Sequence, residues 1–345
     1  MVPMWRYIAM AVLLSGCGFE TQRSVELMDL DAPTLAAELA AGAVSAEAVT
    51  RAALDRIAEL DAAGPQLNAV IELNPDALAI ARELDQRFMR DGPVGPLHGV
   101  PVAIKANIDT ADRMATSAGS LALADHYASD DAALVAQLRA AGAVIIAKTN
   151  LSEWANFRGD NSSSGWSSLG GQTKNPHVLD RTPCGSSSGS AVAVAAGMLP
   201  LAVGTETDGS IVCPAAVNGV VGIKPTHDSV ARQGIIPIAA SQDVAGPFAR
   251  TVSGAALLLA AMRAPNSDGA QLVFPIERAD VMQLRIGVLR DYFGAGALEP
   301  VESAFSEWIG WLEAAGAELI DPVELALPET FRTSELEILL YEFYD

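Results

Sequence analysis

The chain has 345 residues, half of them apolar, and its 42 acidic against 22 basic side chains give a formal net charge of −20. So large an apolar fraction supports a buried core and excludes a disordered chain, while the acidic balance repels phosphate backbones and anionic headgroups and excludes nucleic acid as a partner. Three cysteines (Cys17, Cys184, Cys213) and four scattered histidines (His98, His126, His177, His227) show no metal-ligand spacing, so neither a metal nor a cofactor is expected.

At the N-terminus an apolar run over residues 8–14 follows Arg6 and leads into Leu14-Ser15-Gly16-Cys17. The run is too short to span a bilayer but suits a secretory signal, and its end resembles a bacterial lipobox. Residues 1–16 are therefore expected to be a lipoprotein-type signal peptide, with Cys17 lipidated and the mature protein exported to the periplasm. The membrane would be touched only through that anchor. An ordinary signal peptide or a cytoplasmic protein is the alternative.

The remainder, 17–345, reads as one α/β domain. Helical periodicity runs over 34–60, broken at Gly42 and restarted by Ser45 with Glu47 in the first turn. A strand is predicted over 68–73 and a helix from Pro75 to about Arg90. Strand and helix then alternate: a strand over 100–105, a helix over 132–141 and a strand over 143–147, the signature of an α/β layer structure. Residues 158–175 are polar and rich in Gly, Ser and Asn, either a functional loop or an irregular surface excursion. Beyond lie a helix over 187–196, a strand over 201–204, a short helix after Ser210, a helix over 253–262, a strand over 285–289, a helix over 302–315 and a strand over 318–320. The helical stretch over 329–343 has no closing Gly, Pro or basic turn, so the domain is expected to lack its C-terminal part.

Three segments combine hydroxyls, small residues and Gly where core packing would prefer bulk. GVPVAIK at 99–105 ends an apolar strand on Lys105. Burial disfavours an ammonium, so Lys105 could be a neutral base, although strand-end lysines commonly extend their amine to water. PCGSSSGS at 183–190 feeds a helix and could cradle an anion, but it lacks the Lys-Ser/Thr ending of a phosphate-binding loop. GTETDGSIVCP at 204–214 sets Ser210 on a tight Gly turn before a short helix. That turn either exposes a nucleophilic hydroxyl beside backbone donors, or Asp208 and Ser210 merely cap the helix. Cys184 and Cys213 flank the two serine segments and read as small hydrophobes, with a disulfide as the alternative after export.

Together these segments resemble the amidase signature family, whose lysine, GSS-type loop and Gly-Ser-Ile turn occur here in the same order. The likeness extends from about Leu35 to the last residue and includes AKTNLSEWANF at 147–157 and GGQTKNP at 170–176. It implies a single α/β/α domain with a central mixed sheet flanked by helices. It also implies an amide hydrolase working through an acyl-enzyme: Ser210 as nucleophile, Ser186 after a cis peptide bond as relay, and Lys105 as base. The oxyanion would lie against main-chain N–H groups of Thr207, Asp208, Gly209 and Ser210. By the same resemblance Ala155, Asn156 and Phe157 line the acyl pocket, unless they are only helix packing. The wording at 154–158, 183–190 and 205–214 is similar to bacterial peptide amidases, which remove a C-terminal amide from peptides. A peptide or small-molecule amide is thus the expected partner. The alternatives are an aryl or aliphatic amidase and a non-catalytic, truncated binding protein; a tRNA-dependent amidotransferase component is disfavoured by the acidic charge. Oligomeric state is left open.

Overall fold

The computed structural model describes residues 27–159, 161–263, 280–290, 298–328 and 330–344. The segment expected to be a signal peptide and Cys17 lie outside them. The chain divides between Pro275 and Ile276 into two compact units.

The first unit is built on a six-stranded sheet. Its strands are β1 (Val70–Leu73), β2 (Pro101–Lys105), β3 (Val144–Thr149), β6 (Leu201–Glu206), β7 (Val221–Gly222) and β8 (Val244–Ala249), in the spatial order β1-β3-β2-β6-β8-β7. A two-residue hairpin, β4 (Trp166–Ser167) with β5 (Gly171–Gln172), stands apart in the polar stretch 158–175. The sheet is mixed: β2 runs parallel to both β3 and β6, while β1, β7 and β8 pair antiparallel. Strands β2, β3, β6 and β8 are buried along their whole length. That is why the first three read as short continuous apolar runs rather than as alternating patterns.

Helices flank the sheet. The break predicted at Gly42 separates helices Ala32–Ala40 and Ala46–Ile57, capped by Asp31 on Thr34 N–H (2.9 Å) and by Ser45 on Ala48 N–H (3.1 Å). Each such cap contributes about 1 kcal/mol. The helix Ser188–Ala195 holds only Ser, Gly, Ala and Val, and the composition follows from its closeness to the sheet. A Cβ on Gly189 would stand 2.2 Å from the Ala69 carbonyl oxygen, so no larger residue fits there. Helix Ala133–Ala140 buries Leu134, Val135 and Leu138, each contributing about 1.5–3 kcal/mol by leaving water.

In the second unit, β9 (Arg285–Gly287) and β10 (Glu318–Ile320) pair in parallel, with helix Glu299–Ala314 between them in sequence and helix Phe331–Tyr344 after them. The first of these helices buries Ile309 and Leu312 and leaves Trp308 and Trp311 exposed.

Candidate active site

Because β2 and β6 are parallel neighbours, their C-terminal ends meet at one edge of the sheet, where ligands of open α/β sheets bind. Lys105 ends β2; Thr205 and Glu206 end β6, and the turn carrying Ser210 follows at once.

Lys105 is fully buried and does not reach solvent. Its Nζ lies 2.8 Å from Ser186 Oγ, 2.8 Å from Thr205 Oγ1 and 3.3 Å from the Thr205 carbonyl oxygen. Burial draws its ammonium down from 10.5 to about 7, against the opposing pull of the Asp243 and Glu206 carboxylates.

The peptide bond before Ser186 is cis, as the family likeness implies. The loop around it is fixed by its own hydroxyls. Ser187 Oγ donates to the Thr205 carbonyl (2.9 Å) and accepts from Thr205 N–H (3.2 Å), while Ser190 Oγ donates to the Val203 carbonyl (2.9 Å). Main-chain N–H groups are consumed in the same way: Ser187 donates to the Ser210 carbonyl (3.2 Å) and Gly189 to the Asn150 carbonyl (2.9 Å). With its serine hydroxyls turned to protein partners, the loop is built around Lys105 and the end of β6.

Ser210 is joined to the Ser186 loop through that main-chain bond. Its hydroxyl makes no hydrogen bond among the described residues, so the side-chain chain from Lys105 is formed as far as Ser186. Gly209 has φ +73° and open space where a Cβ would stand, and the N–H groups of Thr207, Asp208, Gly209 and Ser210 donate to nothing among the described residues. Four unengaged donors on one tight turn are suited to receive negative charge. The capping alternative for Asp208 and Ser210 is overturned: helix Val212–Asn218 has no side-chain cap from its N-cap residue, and the Glu206 carboxylate accepts from Ile211 N–H (2.5 Å) and Val212 N–H (2.9 Å).

A cavity of about 500 Å³ opens beside this edge, lined by Asn107, Ala155, Thr205, Thr207, Asp243 and an apolar wall of Ile235, Ile236, Pro237 and Ile238. The wall is tied to the extension of β2 by Ile236 N–H on the Asn107 carbonyl (2.9 Å) and Asp109 N–H on the Gly234 carbonyl (2.7 Å). Of the three predicted pocket residues, Ala155 lines this cavity, whereas Asn156 and Phe157 do not. Trp154, Ala155 and Asn156 take left-handed backbone (φ 54°, 51° and 74°), so the segment is not ordinary helix packing, and Asn156 is exposed.

The reading of the two cysteines as buried hydrophobes is also corrected. Cys184 and Cys213 are half-buried and form a disulfide with Cα atoms 6.0 Å apart, tying the Ser186 loop to the helix after Ser210. Sequence reading missed Thr205, Glu206 and Asp243. Thr205 and Glu206 stood inside a motif already singled out, but their roles depend on where the chain turns; Asp243 precedes a strand that carries Gly and Pro and gave no periodic signal.

Residues 48–344 match the family model described as Amidase. The chain is similar in structure to a peptide amidase from Stenotrophomonas maltophilia, with 50% identity and a TM-score of 0.80 over 91% of this chain and 66% of that one. It is also similar to an amidase family protein from Bacillus anthracis, with 39% identity and a TM-score of 0.81 over 94% of this chain and 66% of that one. Among curated relatives, a glutamyl-tRNA(Gln) amidotransferase component from Acidothermus cellulolyticus is 43% identical over 303 residues, 85% of this chain and 58% of that protein. The chain spans 37% to 63% of the length of the curated relatives it matches. With the lysine, the GSS loop and the Gly-Ser-Ile turn gathered at one sheet edge, and a family model covering most of its length, the chain belongs to the amidase signature family.

Proposed function

We propose that this chain hydrolyses carboxamides through an acyl-enzyme, with Ser210 as nucleophile, Ser186 as proton relay and Lys105 as base. The observation that carries the reading is the 2.8 Å contact between Ser186 Oγ and a fully buried lysine amine whose pKa burial lowers to about 7. Near neutral pH much of that amine is uncharged. Its N–H groups are then taken by the two Thr205 oxygens, leaving the nitrogen lone pair to receive the Ser186 proton.

Ser186 in turn takes the proton of Ser210 as the Ser210 oxygen bonds to the amide carbon. The carbonyl oxygen gains negative charge and lies against the N–H groups of Thr207, Asp208, Gly209 and Ser210. Donors so placed typically contribute about 10² to 10³ in rate each. Collapse of that intermediate breaks the C–N bond, and the proton returns along Ser186 to the departing nitrogen, which leaves as ammonia or an amine. Water then attacks the acyl ester, giving up its proton along the same path, and releases the acid.

As substrate we favour peptides ending in a carboxamide. The 50% identity to a peptide amidase supports this, and the apolar wall from Ile235 to Ile238 offers a surface to the acyl part. Purified protein incubated with C-terminally amidated peptides, aryl amides and aliphatic amides is expected to release ammonia fastest from the peptides. No release from any of them would overturn the activity, and faster release from the small amides would overturn the substrate class. Export and lipid anchoring through Cys17 belong to the same proposal. Metabolic labelling with a radiolabelled fatty acid is expected to mark the wild-type protein and not Cys17→Ala, and an unlabelled wild type would overturn the anchor.

A further inference from the structure

The β6–β8 ladder ends with Glu206 opposite Val244, so the next pair of residues across it is Thr207 and Asp243. Their side chains meet there: Thr207 Oγ1 donates to Asp243 Oδ1. The other carboxylate oxygen, Oδ2, accepts from Ile238 N–H (2.8 Å) and Ala239 N–H (3.1 Å). One half-buried carboxylate thus fastens the first residue of the Ser210 turn to the wall of the cavity, and both Thr207 and Asp243 line that cavity. We propose that Asp243 is a positioning residue for amide hydrolysis, pinning the turn that carries Ser210 to the cavity wall and setting the charge around Lys105. The inference rests on the reading of Lys105 as the base.

Two carboxylates act on the buried Lys105 amine, Asp243 first and Glu206 second. Glu206 is committed to the main-chain N–H groups of Ile211 and Val212. From the neighbouring strand β3, Lys148 turns to the Ile108 carbonyl and Thr116, and the acids acting on it are Asp109, Asp112, Glu72 and Asp131. Asp243 is therefore the charge whose removal alters Lys105 while leaving the Glu206 clamp intact. Without it the ammonium loses a stabilising partner, so the amine becomes neutral at lower pH.

The chain has four lysines, Lys105, Lys148, Lys174 and Lys224, so carbon-13 labelling of lysine gives few signals, and the loss of one in Lys105→Met assigns it. Wild type, Asp243→Asn and Asp243→Glu are titrated by NMR, and the pH profile of amide hydrolysis is recorded for each. In Asp243→Asn the Lys105 midpoint and the acid limb of kcat/KM are expected to move together to lower pH by about half a unit or more, with kcat about ten- to a hundredfold lower. Asp243→Glu keeps the charge but not the clamp, so its midpoint stays while kcat falls about tenfold. An unchanged Lys105 midpoint in Asp243→Asn would overturn the electrostatic half of the proposal, and a Glu variant as active as wild type would overturn the clamp. Should wild type hydrolyse no amide at all, the activity reading fails, while the NMR midpoint still decides what Asp243 does to Lys105.

Discussion

Two buried lysines stand on adjacent parallel strands, and only one of them is placed to act. Lys105 and Lys148 are both removed from solvent, and burial lowers both, to about 7 and about 8. Lys148 Nζ is held by the Ile108 carbonyl and by Thr116 Oγ1 at 3.1 Å, and Thr116 in turn donates to the same carbonyl at 3.4 Å. That is a closed arrangement in which every hydroxyl proton has an acceptor. Lys105 meets a serine hydroxyl one residue from a main-chain bond to Ser210, beside a cavity lined by Thr205 and Thr207. A lowered pKa is thus not a sign of catalysis; what separates the two amines is the proton each can receive and what lies beyond it.

The sharpest break of this comparison is at the proposed nucleophile and its proposed base. Ser210→Ala is expected to lower kcat/KM by about 10⁴-fold or more, and Lys105→Met by about 10³- to 10⁴-fold with the fold intact by circular dichroism. A smaller effect is expected from the bridge between the two serine segments. Cys184→Ser with Cys213→Ser opens a loop spanning 29 residues and should cost about 3 to 4 kcal/mol in urea unfolding. Activity should fall by less than about tenfold. The reason is that Asn218 Nδ2 still joins the same segments through the Pro183 and Pro214 carbonyls, each at 2.8 Å. The smallest catalytic effect belongs to Lys148→Met. Losing that amine strips the buried Ile108 carbonyl of a strong donor and should destabilise by about 1 to 3 kcal/mol, read as a lower Tm, with kcat within about threefold of wild type. A Lys148 variant as inactive as the Lys105 variant would erase the distinction.

How much of this was legible in the sequence differs along the chain. Lys105, Ser186 and Ser210 stood out because each sits in a string of hydroxyls, Gly and small residues, but the residues alone left a solvent-seeking lysine, an anion loop and a helix cap open, and their roles came with the family resemblance. The central strands could be read because full burial makes most of their length a continuous apolar run, as at 144–147 of β3. Strand Val244–Ala249 escaped because Gly246 and Pro247 are residues that strands disfavour, and without it the placement of Asp243 opposite Thr207 is invisible. The left-handed run at Trp154, Ala155 and Asn156 escaped for a related reason: nothing local in those residues favours φ above zero, and the surrounding structure imposes it. Glu206 was visible as a residue but not as the acceptor for Ile211 and Val212, since a cap reaching back from the preceding strand follows no helix-local rule.

The central claim is that the Lys105 amine, and not its neighbour on β3, governs the reactivity of Ser210. The most direct measurement is the rate at which a fluorophosphonate probe labels the protein between pH 5 and pH 9, with the labelled residue located by mass spectrometry. The account expects labelling at Ser210 that rises with pH and levels off above about 7, as Lys105 loses its proton. The rise should vanish in Lys105→Met and persist in Lys148→Met. Labelling that ignores pH, or that follows Lys148 instead, would contradict it.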